Sequence, residues 1–463
     1  MSSKVVIVIV AIFVIAIIGY FAVSLILSGA QSSTQSTSQE TSSYLTSYTT
    51  TINYSHYSSS STTSISYNYT NSSSSPESLM RMPSGLPECS SSNTFFSVSP
   101  ISLSNITNIV PLGHVNPSGH VFPINHIYLY LNLFANRTAI PTTVISPGNA
   151  TIYKIERFIY YTDASRNAVL SYDYELSFAP CQNVSGFFYH LSSISNKLSS
   201  NFTQPFAYCT NVTAGSEVYQ DCGKYVYINI SAGEKLGTAG GVPGGSQALD
   251  WVLEDFRITP LSFANNSRFI DTGQDYSRYV VCPLDYYGAN MRSALYALLG
   301  GDPVNDANFL NVVKRTTPPL CGSSDQDLSG TAQGNWFVNG APMGFSFRED
   351  PNLALVHDNV NTSIGVFSVG TSMSPSGLTP GAYYFTPTNS GLVNRDFSNI
   401  TSDGNIYCYQ TTQQIFSSGT TPEKPIIILQ LVTSTHLRIE KLNANGCGSG
   451  PWSFDSGATD FYR

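Results

Sequence analysis

Three histidines recur every six residues in the segment HVNPSGHVFPINH, which contains His114, His120 and His126. Neutral imidazole is a common metal ligand, and an even spacing places side chains on one face of an extended strand. Glycine and proline interrupt this segment, so a continuous strand is not expected. A loop can still bring His114 or His120 toward His126. The pattern therefore leaves a metal site and an accidental spacing both open.

Other motifs carry weaker chemical signals. His357 and Asp358 are adjacent in the manner of turn residues, and the chain has no G-x-S-x-G nucleophile elbow. Asp325 and Asp327 lack the further ligands of a calcium loop, so we interpret them as solvated loop residues. The stretch GTAGGVPGGS lacks the lysine of a phosphate-binding loop, and we interpret it as a hairpin loop.

Five segments follow one another between residues 111 and 257. They read PLGHVNPSGHVFPINHIYLYL, VISPGNATIYKI, ELSFAPCQNVSGFFYHLSSIS, ISAGEKLGTAGG and ALDWVLEDFR. This order resembles the lysostaphin-type (LytM-like) zinc metallopeptidases, whose fold is the duplicated hybrid motif. Phe188–Leu191 resembles the family's Y-x-H-L motif, and Ala232–Gly241 resembles its glycine-rich hairpin. Ser146–Ala150 stands where the preceding turn belongs.

The resemblance implies a zinc site in which His126 is the first ligand and Asp250 replaces the last one. His190 takes the position of a catalytic histidine. A zinc ion with three protein ligands activates water and polarises a carbonyl group. Two positions depart from the family pattern, because Tyr130 replaces an Asp ligand and Ala248 replaces the second catalytic His.

These departures favour a domain that has kept the fold and lost the zinc site, so no cofactor is expected. In the alternative interpretation the metal site is rebuilt from His126, Asp250 and His120, and zinc is the ion.

The N-terminus carries the clearest targeting signal. Val5–Leu27 comprises 23 residues without a charge, enough at about 1.5 Å per helical residue to span a bilayer. Lys4 precedes this stretch and favours a cytoplasmic N-terminus. We expect residues 1–30 to form an uncleaved single-pass transmembrane anchor in the cell membrane, with the bulk of the chain extracellular. Ser28–Ala30 leaves a cleaved signal peptide open.

Cysteines and glycosylation signals agree with an extracellular location. Eight cysteines without a C-x-x-C pair suggest disulfides in an exported chain. Cys209 with Cys222 and Cys408 with Cys447 are reasonable pairs, although other connectivities stay open. The chain contains thirteen N-x-S/T sequons, which indicate a glycoprotein. We expect glycosylation at Asn136, Asn183, Asn211, Asn229 and Asn399.

The organisation along the chain is mainly β. Residues 31–92 are rich in Ser and Thr without apolar periodicity, which predicts a disordered stalk. Short β-branched and aromatic runs between turn residues then predict a lysostaphin-like β domain at 93–318 and an antiparallel β domain at 319–463. One helix is expected from Ala289 to Leu299. Exposed Trp336, Tyr407 or Trp452 would stack on sugars, but core positions are the alternative.

Together these features favour a membrane-anchored, glycosylated surface protein with a non-catalytic, peptidase-like domain. Its partners would be the membrane and an envelope glycan or peptide, or its role would be structural. A zinc-dependent cell-wall endopeptidase or amidase with an altered ligand set is one alternative. A filament or surface-layer subunit is another. A net charge of −8, with only 21 scattered Lys and Arg, excludes a nucleic-acid partner.

Overall fold

The structure is a computed structural model that describes residues 82–214, 217–269, 278–301, 312–342, 349–413 and 423–463. These residues are mainly β, as the sequence predicts, and every ladder between the strands is antiparallel. The strands of the first sheet are β1 (Ile106–Val110), β2 (Ile127–Leu131), β3 (Thr142–Ile145), β4 (Ala150–Tyr161), β5 (Val169–Cys181), β6 (Val184–Ile194), β7 (Tyr208–Ala214), β8 (Glu217–Ile230), β9 (Lys235–Ala239) and β10 (Ala248–Asp255). Those of the second are β11 (Gly334–Val338), β12 (Leu353–His357), β13 (Gly365–Val369), β14 (Gly381–Phe385), β15 (Tyr407–Gln410), β16 (Thr412–Gln413), β17 (Ile426–Thr433), β18 (His436–Leu442) and β19 (Thr459–Tyr462).

In the described part of the chain, two short α-helices accompany the sheets, α1 (Asn196–Ser199) and α2 (Ala289–Tyr296). The helix expected from Ala289 is confirmed, but it ends at Tyr296 and not at Leu299. The amides of Leu298 and Leu299 bond to carbonyls three residues back, so the final turn tightens before the glycine pair.

The ten-stranded first sheet has the order β1-β2-β10-β6-β5-β4-β8-β7, and β9 joins it by pairing with β3 and β6. Its two faces differ because alternate residues of a strand point to opposite sides. On β10, Leu249 and Trp251 are fully buried in the main hydrophobic core. Asp250 lies between them and points to the other face. This second face carries the polar side chains described below.

The nine-stranded second sheet has the order β15-β17-β18-β19-β11-β12-β13-β14-β16. Trp336 and Tyr407 are buried in its core, whereas Trp452 is half-buried. The two sheets share a further cluster, in which Phe122 packs against Phe337 with ring centroids 5.0 Å apart. The predicted division near residue 318 falls in the connection between the sheets.

Four disulfides link all eight cysteines. Both pairs considered from the sequence are present, and the other two are Cys89–Cys181 and Cys282–Cys321. Four disulfides fit an extracellular or secreted protein. The last part of the predicted stalk is packed, because Leu86 is buried beside Tyr153 and Ala179. The bond from Cys89 to the end of β5 fixes the same segment.

The predicted anchor and the stalk up to residue 81 lie outside the described residues. Among the residues that are described, no helix combines the length and apolar character needed to cross a bilayer.

A cluster of carboxylates lies on the polar face of the first sheet. Lys154 Nζ is 2.5 Å from Glu156 Oε2 and 3.5 Å from Glu175 Oε1. Asp221 stands on the adjacent strand β8, and its Oδ1 is buried without a hydrogen-bond partner. Burial, together with the charge of Glu156, raises the pKa of Asp221 to about 6. The folded state therefore favours a protonated Asp221 more than the unfolded chain does.

Asp221→Asn is expected to raise the melting temperature more at pH 7.5 than at pH 4. The raised pKa means that folding binds a proton between about pH 4 and pH 6, so the ionised form at higher pH is the destabilising one. Asparagine mimics the protonated form at every pH. Thermal unfolding followed by circular dichroism at both pH values measures the difference.

Asp163→Asn is the control, because Asp163 is exposed and accepts hydrogen bonds from the amide and hydroxyl of Ser165. These bonds lower its pKa, so its contribution is present at neutral pH and lost in acid. It should change stability in the direction opposite to Asp221→Asn at pH 7.5. A stabilisation by Asp221→Asn that is equal at both pH values would refute the assignment.

Candidate functional site

Three neighbouring strands, β2, β10 and β6, bring the predicted site residues together. Asp250 on β10 lies directly opposite Tyr128 on β2 and Tyr189 on β6. Directly opposed residues share a face of the sheet. His126 precedes the first residue of β2 and lies on the same face as Tyr128, two positions later. The side chains of His126 and Asp250 therefore meet on the polar face.

His190 reaches this face through an unusual backbone conformation. Its φ is 72°, in the left-handed region that non-glycine residues rarely adopt. Strand β6 changes partner at this point, since Tyr189 pairs with β10 whereas Leu191 pairs with β9. Strict alternation would turn His190 away from Tyr189, yet the two rings stack with centroids 4.0 Å apart. Such strain, of about 1–3 kcal/mol, is typical of functional sites.

His190 lies between two carboxylates. Its Nδ1 is 2.7 Å from Asp173 Oδ2, and its Nε2 is 3.4 Å from Asp250 Oδ2. The same oxygen of Asp250 is 3.5 Å from His126 Nε2. Asp250 and His126 are buried, whereas 24% of the His190 side chain is exposed. The four side chains form a continuous polar chain from the interior to the surface.

The two histidines of this chain carry different charges. Burial opposes the cationic form of His190, but Asp250 and Asp173 outweigh it and raise the pKa to about 10. Burial lowers the pKa of His126 to about 3, and only Asp250 opposes this. Because His190 already compensates the charge of Asp250, a second imidazolium gains little there. At neutral pH the site therefore holds a protonated His190 and a neutral His126.

Because His126 is neutral, two hydrogen-bond acceptors of the site have no donor. Its Nδ1 is 3.0 Å from Asn125 Oδ1. With that oxygen as acceptor, Nδ1 carries the proton and Nε2 carries a lone pair. His126 Nε2 and Asp250 Oδ1 are both buried without a hydrogen-bond partner. Two unsatisfied acceptors in one buried site are costly, and a bound cation would relieve that cost.

The nitrogen and oxygen atoms of His126, His190 and Asp250 match the ligands of a zinc site in part. Two imidazole nitrogens and one carboxylate are a common ligand set, and ligands about 2.0–2.2 Å from a tetrahedral ion lie about 3.3 Å apart. Both histidine nitrogens meet this spacing to Asp250. Within the described part of the chain, however, no group of three His, Cys, Asp or Glu is arranged to hold a metal ion. Binding would therefore require at least one of these side chains to move.

The remaining predicted residues take other places. The His120 ring lies 5.5 Å from that of His126, and its Nδ1 is 3.8 Å from Glu349 Oε1. His114 is buried with its ring against Tyr128. Tyr130 and Ala248 lie directly opposite each other on β2 and β10. The two positions that depart from the family pattern are therefore neighbours, two residues along the strands from Tyr128 and Asp250.

A cleft of about 690 Å³ opens beside His190 and Asp173. Tyrosines near the tip of the β4–β5 hairpin line it, together with the glycine-rich segment 240–246. We predicted this segment to be a hairpin loop, which is wrong, because β9 and β10 each pair with β6 and not with each other. Gly240 has φ 74°, and a Cβ there would lie 3.0 Å from the Cβ of Ala139. Only glycine fits this wall without strain.

Two other motifs have structural roles. His357 Nε2 pairs with Asp396 Oδ2 at 3.0 Å and not with Asp358. Asp325 and Asp327 are not solvated loop residues, since both are partly buried and accept backbone amides. These carboxylates hold the chain after β10 against β11, so neither motif forms a second site.

Asp173 and Asn125 are site residues that the sequence analysis missed. Asp173 belongs to the alternating pattern Y-D-Y-E-L of β5, which places Asp173 and Glu175 on one face. That pattern was a usable signal for an acidic face. Asn125 had no signal, because its role depends on the ring orientation of His126.

Comparison of the chain with protein-family models, with curated proteins and with solved structures finds no match. A function for this site is therefore argued from its geometry and charge.

His190 should make stability depend on pH in the alkaline range. Its pKa is about 10 in the folded protein, against 6.5 for an unperturbed histidine, so its stabilisation is complete below pH 6.5 and lost as pH rises toward 10. His190→Gln should remove this part of the slope, a difference on the order of 5 kcal/mol. Urea unfolding at pH 6, 8 and 10 measures it.

The matched control is His436→Gln on the second sheet, where the ring stacks on Tyr462 and its Nε2 pairs with a single carboxylate, that of Asp460, at 2.8 Å. It should keep the alkaline slope of the parent protein. If His190→Gln also keeps that slope, the imidazole is not held protonated by its two carboxylates.

Proposed function

We propose that this protein is a membrane-anchored, glycosylated protein of the cell surface, and that its first β domain binds an envelope polymer without cleaving it. The uncharged N-terminal stretch supports the anchor, and four disulfides support an extracellular environment. Four of the chosen sequon asparagines are exposed, and the fifth, Asn183, is half-buried. Glycans attached to the four exposed asparagines would therefore extend into solvent.

The position of His190 between two carboxylates is the observation that carries the non-catalytic role. Its two nitrogens face Asp173 and Asp250, and its pKa is about 10. A protonated imidazole cannot accept a proton, so it cannot serve as a general base near neutral pH. It can help to position a ligand in the adjoining cleft, because it holds the carboxylate of Asp173, which accepts hydrogen bonds from hydroxyl or amide groups.

Co-sedimentation with isolated cell envelopes tests the proposal. The full-length chain in mild detergent should sediment with envelopes of the producing cells. Asp173→Asn should weaken this binding about tenfold, because it weakens the ion pair that fixes the His190 ring. Release of free amines or reducing ends from the envelopes should stay at the level of a protein-free sample.

His436→Gln provides the control for this assay and should bind like the parent protein. Envelope binding that is unchanged in Asp173→Asn would contradict the role of the cleft. A time-dependent release of amines or reducing ends would contradict the non-catalytic role.

A zinc-dependent peptidase or amidase is the second candidate function. It is favoured by the buried lone pairs of His126 Nε2 and Asp250 Oδ1, which lack hydrogen-bond partners. His126, Asp250 and His190 would hold the ion, with Asp173 orienting His190 as an outer partner. A bound zinc supplies an activated water and a Lewis acid. His190 would have to lose its proton to act as a ligand.

Metal analysis separates the two candidates. If the second holds, the full-length chain dialysed against zinc chloride should retain about one zinc per chain by mass spectrometry, and His126→Gln should lose it. His357→Gln is the control, because His357 pairs with Asp396 in the second sheet. If the parent protein retains no zinc, or His126→Gln retains as much, the zinc candidate is wrong.

A further inference from the structure

The cleft beside His190 has walls of aromatic and aliphatic side chains that remain open to solvent. Its lining includes Tyr160, Tyr161, Tyr172 and Leu170. Tyr172 is 45% exposed and Leu170 is 65% exposed. Large apolar side chains at this exposure, next to a polar site, typically mark a binding surface. Flat aromatic faces favour a ligand that itself has flat apolar faces.

The rest of the lining is rich in hydroxyl groups. Thr162, Ser171, Ser192 and Ser246 surround the tyrosines. A hydroxyl both donates and accepts hydrogen bonds, so this lining matches a ligand that also presents hydroxyls in many directions. Asp173 adds one strong acceptor to the lining, and its ion pair with His190 holds it in place.

The charge of the lining argues against an anionic ligand. Among the described lining residues, the only ionisable groups besides the tyrosines are Asp173 and His190, which form an ion pair at 2.7 Å. No lysine or arginine belongs to the described lining. Phosphate, sulfate or carboxylate groups would enter without the basic partners that usually recognise them. A neutral ligand avoids that cost.

One edge of β5 is open beside the cleft. β5 pairs with β4 from Val169, but among the described residues its pairing with β6 begins only at Tyr174, so the lining residues 170–173 have a strand on one side. A peptide backbone can pair with such an edge, so an oligopeptide is the competing ligand in the test. The tyrosines and hydroxyls of the lining favour a glycan over that competitor, because a backbone ladder makes no use of stacking or of side-chain hydroxyls.

We infer that the polymer bound in this cleft is a neutral glycan, whose sugar rings stack on Tyr172 and its neighbours. This inference rests on the proposed binding function of the same cleft. It specifies the chemical class of the ligand and assigns Tyr172 as a residue that determines specificity. Asp173, held by His190, then accepts hydrogen bonds from the sugar hydroxyls.

Binding to defined glycans tests the inference. The full-length chain in detergent is measured against an array of neutral oligosaccharides, against dextran and dextran sulfate, and against oligoglycine peptides. We expect saturable binding to at least one neutral glycan. Tyr172→Ala should weaken it about tenfold, because stacking is lost, whereas Tyr172→Trp should retain it.

Tyr227→Ala is the matched control, since Tyr227 on β8 is 44% exposed and does not line the cleft. It should bind like the parent protein. Binding only to dextran sulfate or to oligoglycine, or equal binding by Tyr172→Ala, would overturn the neutral-glycan inference. If the glycan inference fails in this way but envelopes still sediment more of the parent protein than of Asp173→Asn, the proposed binding function is retained. If no envelope binding occurs at all, both fail.

Discussion

The ion pairs around His190 set the main physical constraint on the first sheet. Burying a carboxylate without a partner costs several kcal/mol, so Asp250 can occupy the centre of β10 only because an imidazolium faces it. The imidazolium in turn needs the left-handed backbone that turns His190 toward the polar face. That conformation coincides with the point where β6 exchanges β10 for β9. Charge, backbone strain and strand order therefore depend on one another at a single residue.

Sheet class and several local elements were accessible from the sequence. The alternation of β-branched and aromatic runs with turn residues indicated the mainly β class. The presence of α2 was indicated by its composition and by the glycine pair that follows it. The pairs Cys209–Cys222 and Cys408–Cys447 were also confirmed. Whereas the two cysteine pairs span 13 and 39 positions, the sheet class and the helix depend on contacts within short stretches of chain or on the polarity of neighbouring residues. Such local rules operate without knowledge of the strand order.

The site could be predicted from the sequence only in part, because its contacts depend on the strand order. His126, His190 and Asp250 were singled out through the resemblance, and β2, β10 and β6 do bring them together. The resemblance to lysostaphin-type peptidases itself stays a prediction. Asp173 was missed because its partner is set by the register of β5 against β6. The charge of His190 could not be read from its type, since it depends on two carboxylates from other strands.

The bond between Cys89 and Cys181 also determines how the protein would respond to mechanical force. A pull applied from the N-terminal side reaches the covalent link at Cys89 and passes directly to the end of β5. The covalent path then bypasses the chain between the two cysteines, which are 92 positions apart, so β1 to β5 lie outside the loaded backbone while the link is intact. Reduction of this one bond would place those strands in series with the load and make the fold extensible.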